Sequence, residues 1–342
     1  MAGSKSFSYL TEASEELQSC LHDKGRVVSY EAGKTLIFEG NISDRVIVLL
    51  NGAVAVNTTD HQGNEQRLAT LEDGAIVGEM SWLEQRPAVA NVVTTASSQV
   101  LELDCNLLDD LSRSKPAIAA EWQRLIAQKL AAQIQNQNAW IHRYEGPGAE
   151  IEPLRKVLVL FAELDDLDVN TLAKLGSLRR IQPGEILLQQ GDSVPSVFLI
   201  LAGEAEIFVE IKGVNKRVGS SRRGELLGEL TLLNKDAQGA TATVQSSGGM
   251  ELLELNKDDL NQALDHDPKL AGRFFRSLSC MLSQRSRDQL LARQLASRSR
   301  GAELDNDDGD ELDLTQLGGI NRAGQRFNTL CQKFQSGGGA ES

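Results

Sequence analysis

The spacing of apolar and polar positions changes character four times along the chain. Between residues 28 and 104 the apolar residues fall in short runs such as Val46-Ile-Val-Leu-Leu50, Gly52-Ala-Val-Ala-Val56 and Arg67-Leu-Ala-Thr-Leu71, separated by Gly, Asn and Asp. Short runs with regular turn signals predict strands of a β-roll or jelly roll, with Asp60-His-Gln-Gly-Asn64 as a hairpin tip. From Asn106 the period lengthens to that of a helix. Leu107, Leu108 and Leu111 predict a short helix up to Pro116. A long one follows from Ala117 to about Tyr144, with Ile118, Trp122, Leu125, Ile126, Leu130, Ile134 and Ile141 along one stripe. Gly146-Pro147-Gly148 ends it. Before the first strand, Leu10, Leu17 and Leu21 predict a helix starting near Thr11, with Glu12, Glu15 and Glu16 at its electrostatically favourable end.

The second half repeats this order. Short helices are expected around Pro153–Phe161 and at Leu164, Leu167, Leu172 and Leu175, strands from about Leu178 to Leu255, and a hairpin around Gly213. Helices follow at Lys257–Asp265 and from Pro268 to Arg300. The repeat holds at residue level. Gly33/Gly184, Gly40/Gly191 and Gly52/Gly203 share one offset of 151, and Gly78/Gly228 slips to 150. Val46–Gly52 aligns with Val197–Gly203, and Leu101-Glu-Leu-Asp104 with Leu253-Glu-Leu-Asn256. A near-constant offset over such a length means a duplicated domain. The expected boundaries are domain 1 at 1–145, a linker at 146–152, domain 2 at 153–300, and an acidic, Gly-rich, flexible tail at 301–342.

The most informative repeated stretch is Val77-Gly-Glu-Met-Ser-Trp-Leu83, matched by Leu227-Gly-Glu-Leu-Thr-Leu-Leu233. A Gly feeding a short helix lets backbone N–H groups converge beside the positive helix end, an arrangement suited to a phosphate. The glycine spacing, an apolar strand ending in x-x-G, and G-E-[LM]-x-x-L followed by A-x-V together resemble the cyclic-nucleotide-binding domain. That family includes catabolite-activator-type regulators, protein kinase A regulatory subunits and gated channels. The resemblance covers residues 10–145 and 160–290. It implies a mainly β fold with flanking α-helices: two tandem cyclic-nucleotide-binding-like β-rolls of jelly-roll type.

The resemblance also implies site residues. In the family a Gly-Glu pair opens the phosphate-binding cassette, the Glu takes the ribose 2′-hydroxyl, and P-R-[AS]-A-[ST]-V supplies an Arg for the cyclic phosphate. By position the first-copy candidates are Gly78, Glu79, Met80, Arg86, Ala88 and Asn91; those of the second are Gly228, Glu229, Leu230, Ala240 and Thr243. Both copies depart at one place, since the Arg slot holds Ala88 and Ala240. Arg86 lies two positions early, and no Arg or Lys lies between Lys235 and Val244. A charge-assisted Arg–phosphate contact contributes roughly 1.5–3 kcal/mol, so losing it removes about one to two decades of affinity. Two readings follow. One is a regulatory protein that senses a cyclic nucleotide or other anionic ligand in domain 1, with Arg86 turned inward, and signals to a protein partner. The other is a ligand-free interaction or assembly module. In either, helices 117–144 and 268–300 are the expected partner or self-association surfaces; the stripe of the first serves equally to cover its own roll.

Composition narrows the setting. A net charge of −13 disfavours nonspecific nucleic-acid binding, and no winged helix-turn-helix is recognisable after Arg300, so DNA binding is not expected. Four scattered cysteines with no CxxC pair predict a reducing, cytoplasmic setting. No apolar run reaches the length of a membrane span, and the N-terminus does not read as a signal peptide. No catalytic motif or metal-spaced His cluster occurs, so neither catalytic nor metal residues are assigned. The last predicted helix carries seven arginines, and Glu303–Asp313 carries seven acidic residues that would complement them. Leu314–Phe334 reads as a short docking helix interrupted by Gly318-Gly319.

Overall fold

A computed structural model describes residues 12–59, 65–141, 159–211, 213–234, 239–298 and 314–336. The chain divides into two units, one of residues 1–130 with 282–300 and one of residues 131–281 with 301–342. This differs from the boundaries expected at 145 and 153. The long helices are the reason: at 26 and 31 residues they extend about 39 and 46 Å, and the divisions after residues 130 and 281 fall within them and not in a loop. The linker at 146–152, the hairpin tip at 60–64 and the acidic run at 303–313 lie outside the described residues.

Unit 1 runs α1 (Glu15–Lys24), β1 (Arg26–Tyr30), β2 (Thr35–Ile37), β3 (Arg45–Asn51), β4 (Ala53–Thr59), β5 (Glu65–Glu72), β6 (Ile76–Val77), α2 (Glu79–Glu84), β7 (Asn91–Thr94), β8 (Ser98–Asp104), α3 (Cys105–Ser114) and the start of α4 (Pro116–Ile141). Unit 2 runs α5 (Val159–Glu163), α6 (Asp166–Leu175), β9 (Ser177–Ile181), β10 (Ile186–Leu188), β11 (Ser196–Ala202), β12 (Glu204–Ile211), β13 (Val214–Arg222), β14 (Leu226–Leu227), α7 (Glu229–Leu233), β15 (Thr243–Ser246), β16 (Met250–Asn256), α8 (Lys257–His266), the start of α9 (Pro268–Arg298), and α10 (Leu314–Ser336). The first helix begins at Glu15, four residues past the expected start at Thr11 and with Glu15 and Glu16 in its first turn, because the Ser14 hydroxyl accepts the Leu17 N–H and so sets the cap.

Each roll is two four-stranded antiparallel sheets. In unit 1 they are ordered β1-β8-β3-β6 and β2-β7-β4-β5; in unit 2, β9-β16-β11-β14 and β10-β15-β12-β13. The second order is the first with every strand advanced by eight, so the duplication seen in the glycine spacing is one of topology too. β3 pairs Val48 with Leu101, and β11 pairs Leu199 with Leu253. Alternate residues of each strand meet inside the roll: Ile37, Ile47, Leu49, Val54, Val77, Val92 and Val100 in unit 1. Val46 and Val48, on the opposite face of β3, are also fully buried, which is why that run is apolar without alternation. The helix after each roll is capped alike. Asp104 accepts the Asn106 and Leu107 N–H groups, and Asn256 accepts those of Asp258 and Asp259.

The helical surfaces expected to bind partners are largely used within the chain. Ile118, Trp122, Leu125, Ile126, Leu130 and Ile134 of α4 are all buried. In unit 2 Arg273 of α9 grips the buried Asp168 carboxylate through two contacts of 2.6 and 2.7 Å, and Arg276 pairs with Glu163 at 3.5 Å. The tail, expected to be flexible from residue 301, carries α10 from Leu314, running unbroken through Gly318-Gly319. Phe327 explains its attachment. It is 1% exposed, meets Phe161 edge-on at 5.0 Å, and lies 4.7 Å beneath the Arg223 guanidinium.

Glycine is required where one β-strand hands over to the next. Gly203 has φ +90°, and a Cβ there would lie 2.3 Å from the Gly249 carbonyl oxygen. Gly203→Ala is therefore expected to destabilise unit 2 by about 1–3 kcal/mol from backbone strain alone, with the steric clash in addition. Urea denaturation of the variant against wild type measures it; an unchanged midpoint would contradict this account.

Candidate functional site

Both cassettes are built from the same three parts: a left-handed glycine, a short helix with a buried Glu at its start, and a return segment clipped to the loop after the second strand. In unit 1, Gly78 has φ 88° and ψ −9°, and a Cβ there would lie 2.7 Å from the Arg45 carbonyl oxygen. Close backbone packing by itself therefore requires glycine. The return segment is held by the Ala88 N–H donating to the Asn41 carbonyl and the Gly40 N–H donating to the Ala88 carbonyl, both 2.9 Å. Unit 2 reproduces the pair: Ala240 to Asp192 and Gly191 to Ala240, both 2.8 Å. The backbone at the Arg slot is thus built as a duplicate feature, while the side chain is a methyl group in both. Ala88 packs against the roll core.

Glu79, the first residue of α2, has a side chain only 3% exposed, and it is ion-paired with Lys129 Nζ from α4. Met80 beside it is half-buried. Arg86 does not turn toward Ala88 and Asn91. Its guanidinium lies 3.9 Å from Glu84 Oε2 at the far end of α2, and its carbonyl accepts the Ser81 hydroxyl at 2.6 Å. Asn91 Oδ1 accepts the Glu39 N–H at 3.0 Å, and its amide reaches Glu39 Oε2 at 3.5 Å. Glu39 is further held by the Thr58 hydroxyl at 2.9 Å and the Thr59 N–H at 3.0 Å. The charged group at Asn91 therefore has the same sign as a phosphate.

In unit 2, Gly228 (φ 79°) precedes α7, and Glu229 and Leu230 are buried. The Thr243 hydroxyl accepts from the Gln190 N–H at 3.1 Å and from Gln189 at 3.2 Å, which closes it onto the same loop. Lys257, the first residue of α8, donates through Nζ to the Val194 carbonyl and to the Thr231 hydroxyl. Burial pulls its pKa down to about 8, partly offset by the nearby Glu229 charge.

Sequence reasoning missed Glu39, Lys129 and Lys257. Lys129 lies 50 residues from its partner, but its position is marked: it falls on the apolar stripe of α4, in line with the buried Trp122, Leu125 and Ile126, where a lysine needs a buried partner. Lys257 left a trace, because it aligns with Cys105 of the first copy. There the thiol reaches the Ser43 carbonyl at 3.8 Å, the counterpart of the Val194 contact.

This geometry, two rolls each with a glycine–glutamate cassette, defines a class of regulatory β-roll, and comparison names it. The model of the cyclic nucleotide-binding domain matches residues 27–115 and 178–267, just over half of the chain, and the protein belongs to that family. The cAMP-dependent protein kinase regulatory subunit of Mucor circinelloides f. lusitanicus is 26% identical over 232 residues, 68% of this chain and 46% of the relative. That of Schizosaccharomyces pombe is 25% identical over 244 residues, 68% and 52% respectively. The chain thus spans about half the length of the curated relatives it matches. Among solved structures, the regulatory domain of Toxoplasma gondii PKA with cAMP aligns with 82% of this chain and 92% of its own, at 16% identity and a TM-score of 0.31. The Thermus thermophilus catabolite activator protein aligns with 51% and 76%, at 20% identity and a TM-score of 0.34. No described helix is long and apolar enough to cross a membrane.

Lys257 gives the second cassette a pH dependence. Below about pH 8 it is charged both folded and unfolded, and the folded state bears the burial penalty. Between about pH 8 and 10.5 the folded form alone releases the proton, and the penalty disappears. Wild type is expected to gain stability relative to Lys257→Met over that window, read by urea midpoints of both proteins at pH 7.5 and pH 10. A constant difference would contradict it.

Proposed function

We propose that the chain is a non-catalytic regulatory protein whose cassettes are closed by its own side chains, and that it acts on a protein partner without responding to cAMP or cGMP. One observation carries this reading: the ion pair between Lys129 and Glu79. The family uses that glutamate for the ribose hydroxyl, and here a lysine from α4 takes it. The Arg slot beside it holds Ala88, and the nearby Asn91 is tied to a carboxylate. A cyclic nucleotide entering unit 1 would have to displace Lys129 and would find no guanidinium for its phosphate. In the second cassette Ala240 occupies the Arg slot, and burial of Lys257 close to Glu229 likewise favours internal pairing. The curated relatives are regulatory subunits of a protein kinase, so a kinase catalytic chain is the first class of partner to test. All four cysteines are buried and none forms a disulfide, which supports a reducing, cytoplasmic setting.

The second reading keeps unit 1 as a sensor, with a nucleotide or other anionic ligand that displaces Lys129 as its signal. It is favoured by the 14% exposure of the Lys129 side chain, which leaves the pair within reach of solvent.

Calorimetric titration with cAMP, cGMP and a cyclic dinucleotide separates the two. Wild type is expected to show no binding. Ala88→Arg combined with Lys129→Ala restores the phosphate contact and frees Glu79, and is expected to gain roughly 10- to 100-fold in affinity for cAMP or cGMP. Micromolar binding by wild type that disappears in Glu79→Ala would establish the sensor instead.

A further inference from the structure

The far end of α2 is held by a second ion pair, independent of Glu79 and of whether any ligand enters the roll. The Glu84 side chain is 1% exposed and that of Arg287 is 5% exposed. Arg287 Nε donates to Glu84 Oε2 at 2.8 Å, and its Nη1 donates to the Pro87 carbonyl at 2.8 Å. The Ser283 hydroxyl donates to Glu84 Oε1. Arg287 and Ser283 belong to the last part of α9, residues 282–298, which is part of unit 1. One guanidinium therefore bridges both ends of the four-residue turn that leads from α2 to Ala88. That turn is under tension of its own, because Gln85 has φ 52°, the one non-glycine residue with positive φ among those described.

Two features distinguish this seam from ordinary packing. First, it is polar where it is buried: Ser283 and Ser286 are 0% exposed and Arg287 4%. Second, it is incompletely satisfied, since Arg287 Nη2 is buried without a hydrogen-bond partner. Burial raises the Glu84 carboxyl above its ordinary pKa, and the charges of Arg287 and Arg86 and the Ser283 hydrogen bond only partly oppose this. A buried ion pair with an orphan donor contributes little net stability, and an apolar pair of similar volume would hold the two elements together more tightly. Removing one partner is disruptive, because the other charge stays buried alone.

We infer that residues 282–290 are a releasable latch on the unit 1 cassette: while Arg287 is seated the turn 84–87 is fixed, and when this end of α9 leaves, the turn is freed. Regulatory input to unit 1 then enters through α9, and the cassette is its output.

Hydrogen–deuterium exchange of the full chain tests this. Arg287→Ala is expected to accelerate exchange of the amides of Glu79–Ala90 by about tenfold or more, with those of Glu229–Leu233 unchanged. The apolar pair Glu84→Leu/Arg287→Met is expected to bring Glu79–Ala90 back to the wild-type rate or slower. Three results would overturn the latch: no acceleration in Arg287→Ala, equal acceleration of both cassettes, which marks a contact needed for the fold as a whole, or an apolar pair that exchanges as fast as Arg287→Ala.

Discussion

A carboxylate at 3% exposure needs a cation or a proton, and at Glu79 the cation comes from the chain itself. Much of unit 1 follows from this. Gly78 sets the start of α2 through the close approach of Arg45, so the glutamate side chain is carried inward whatever else is present. Lys129 must then be supplied from α4, and α4 is placed to supply it because Ile118, Trp122 and Ile126 bury the same helix. The α1 end of the unit is tied to α4 as well, through Ser14 and Glu121 at 2.6 Å. A polar contact at the site and apolar packing outside it thus specify one position for the helix.

The two copies show what duplication preserved and what it released. Strand order, the left-handed glycines, the asparagine or aspartate caps and the two main-chain clips at the Arg slot recur in both. The side chains around the cassettes do not. Glu39 of the first copy stands where the second has Gln190, yet both accept a backbone N–H from the same strand, from Thr59 and Glu210. Cys105 stands where the second has Lys257. Backbone geometry has been kept while the charges around it changed, which fits a scaffold whose shape matters more than one common ligand.

The fold was legible because its signals are local and repeated. Gly33, Gly40, Gly52 and Gly78 each sit at positive φ, and their counterparts in the second copy do the same, so the near-constant offset was a record of turn geometry. The helix over 117–144 was legible from its stripe to within a few residues of Pro116–Ile141. The absence of a cation at the Arg slots could also be read directly. What could not be read were the replacements. Lys129 and Arg287 lie 50 and 203 residues from their partners, and the sequence does not say which carboxylate either will meet. The tail was legible in part. Leu314–Phe334 read as a docking helix, and α10 spans Leu314–Ser336, but not as one interrupted at Gly318-Gly319; the partners that Phe327 and Arg326 find on α5 and α6 are not revealed by local propensity.

The seating of Arg287 has a consequence for the order of synthesis. Unit 1 is complete only when residues 282–300 are available, roughly 150 residues after its last strand and helix have left the ribosome. At ordinary elongation rates that gap lasts about ten to thirty seconds. During it Glu84 lies beside Arg86 without the guanidinium that later buries it, and the turn into Ala88 is unbraced. A nascent unit 1 is therefore a different object from the finished one: its cassette is assembled early but closed last. Any factor that recognises the open form has its opportunity before the chain is released.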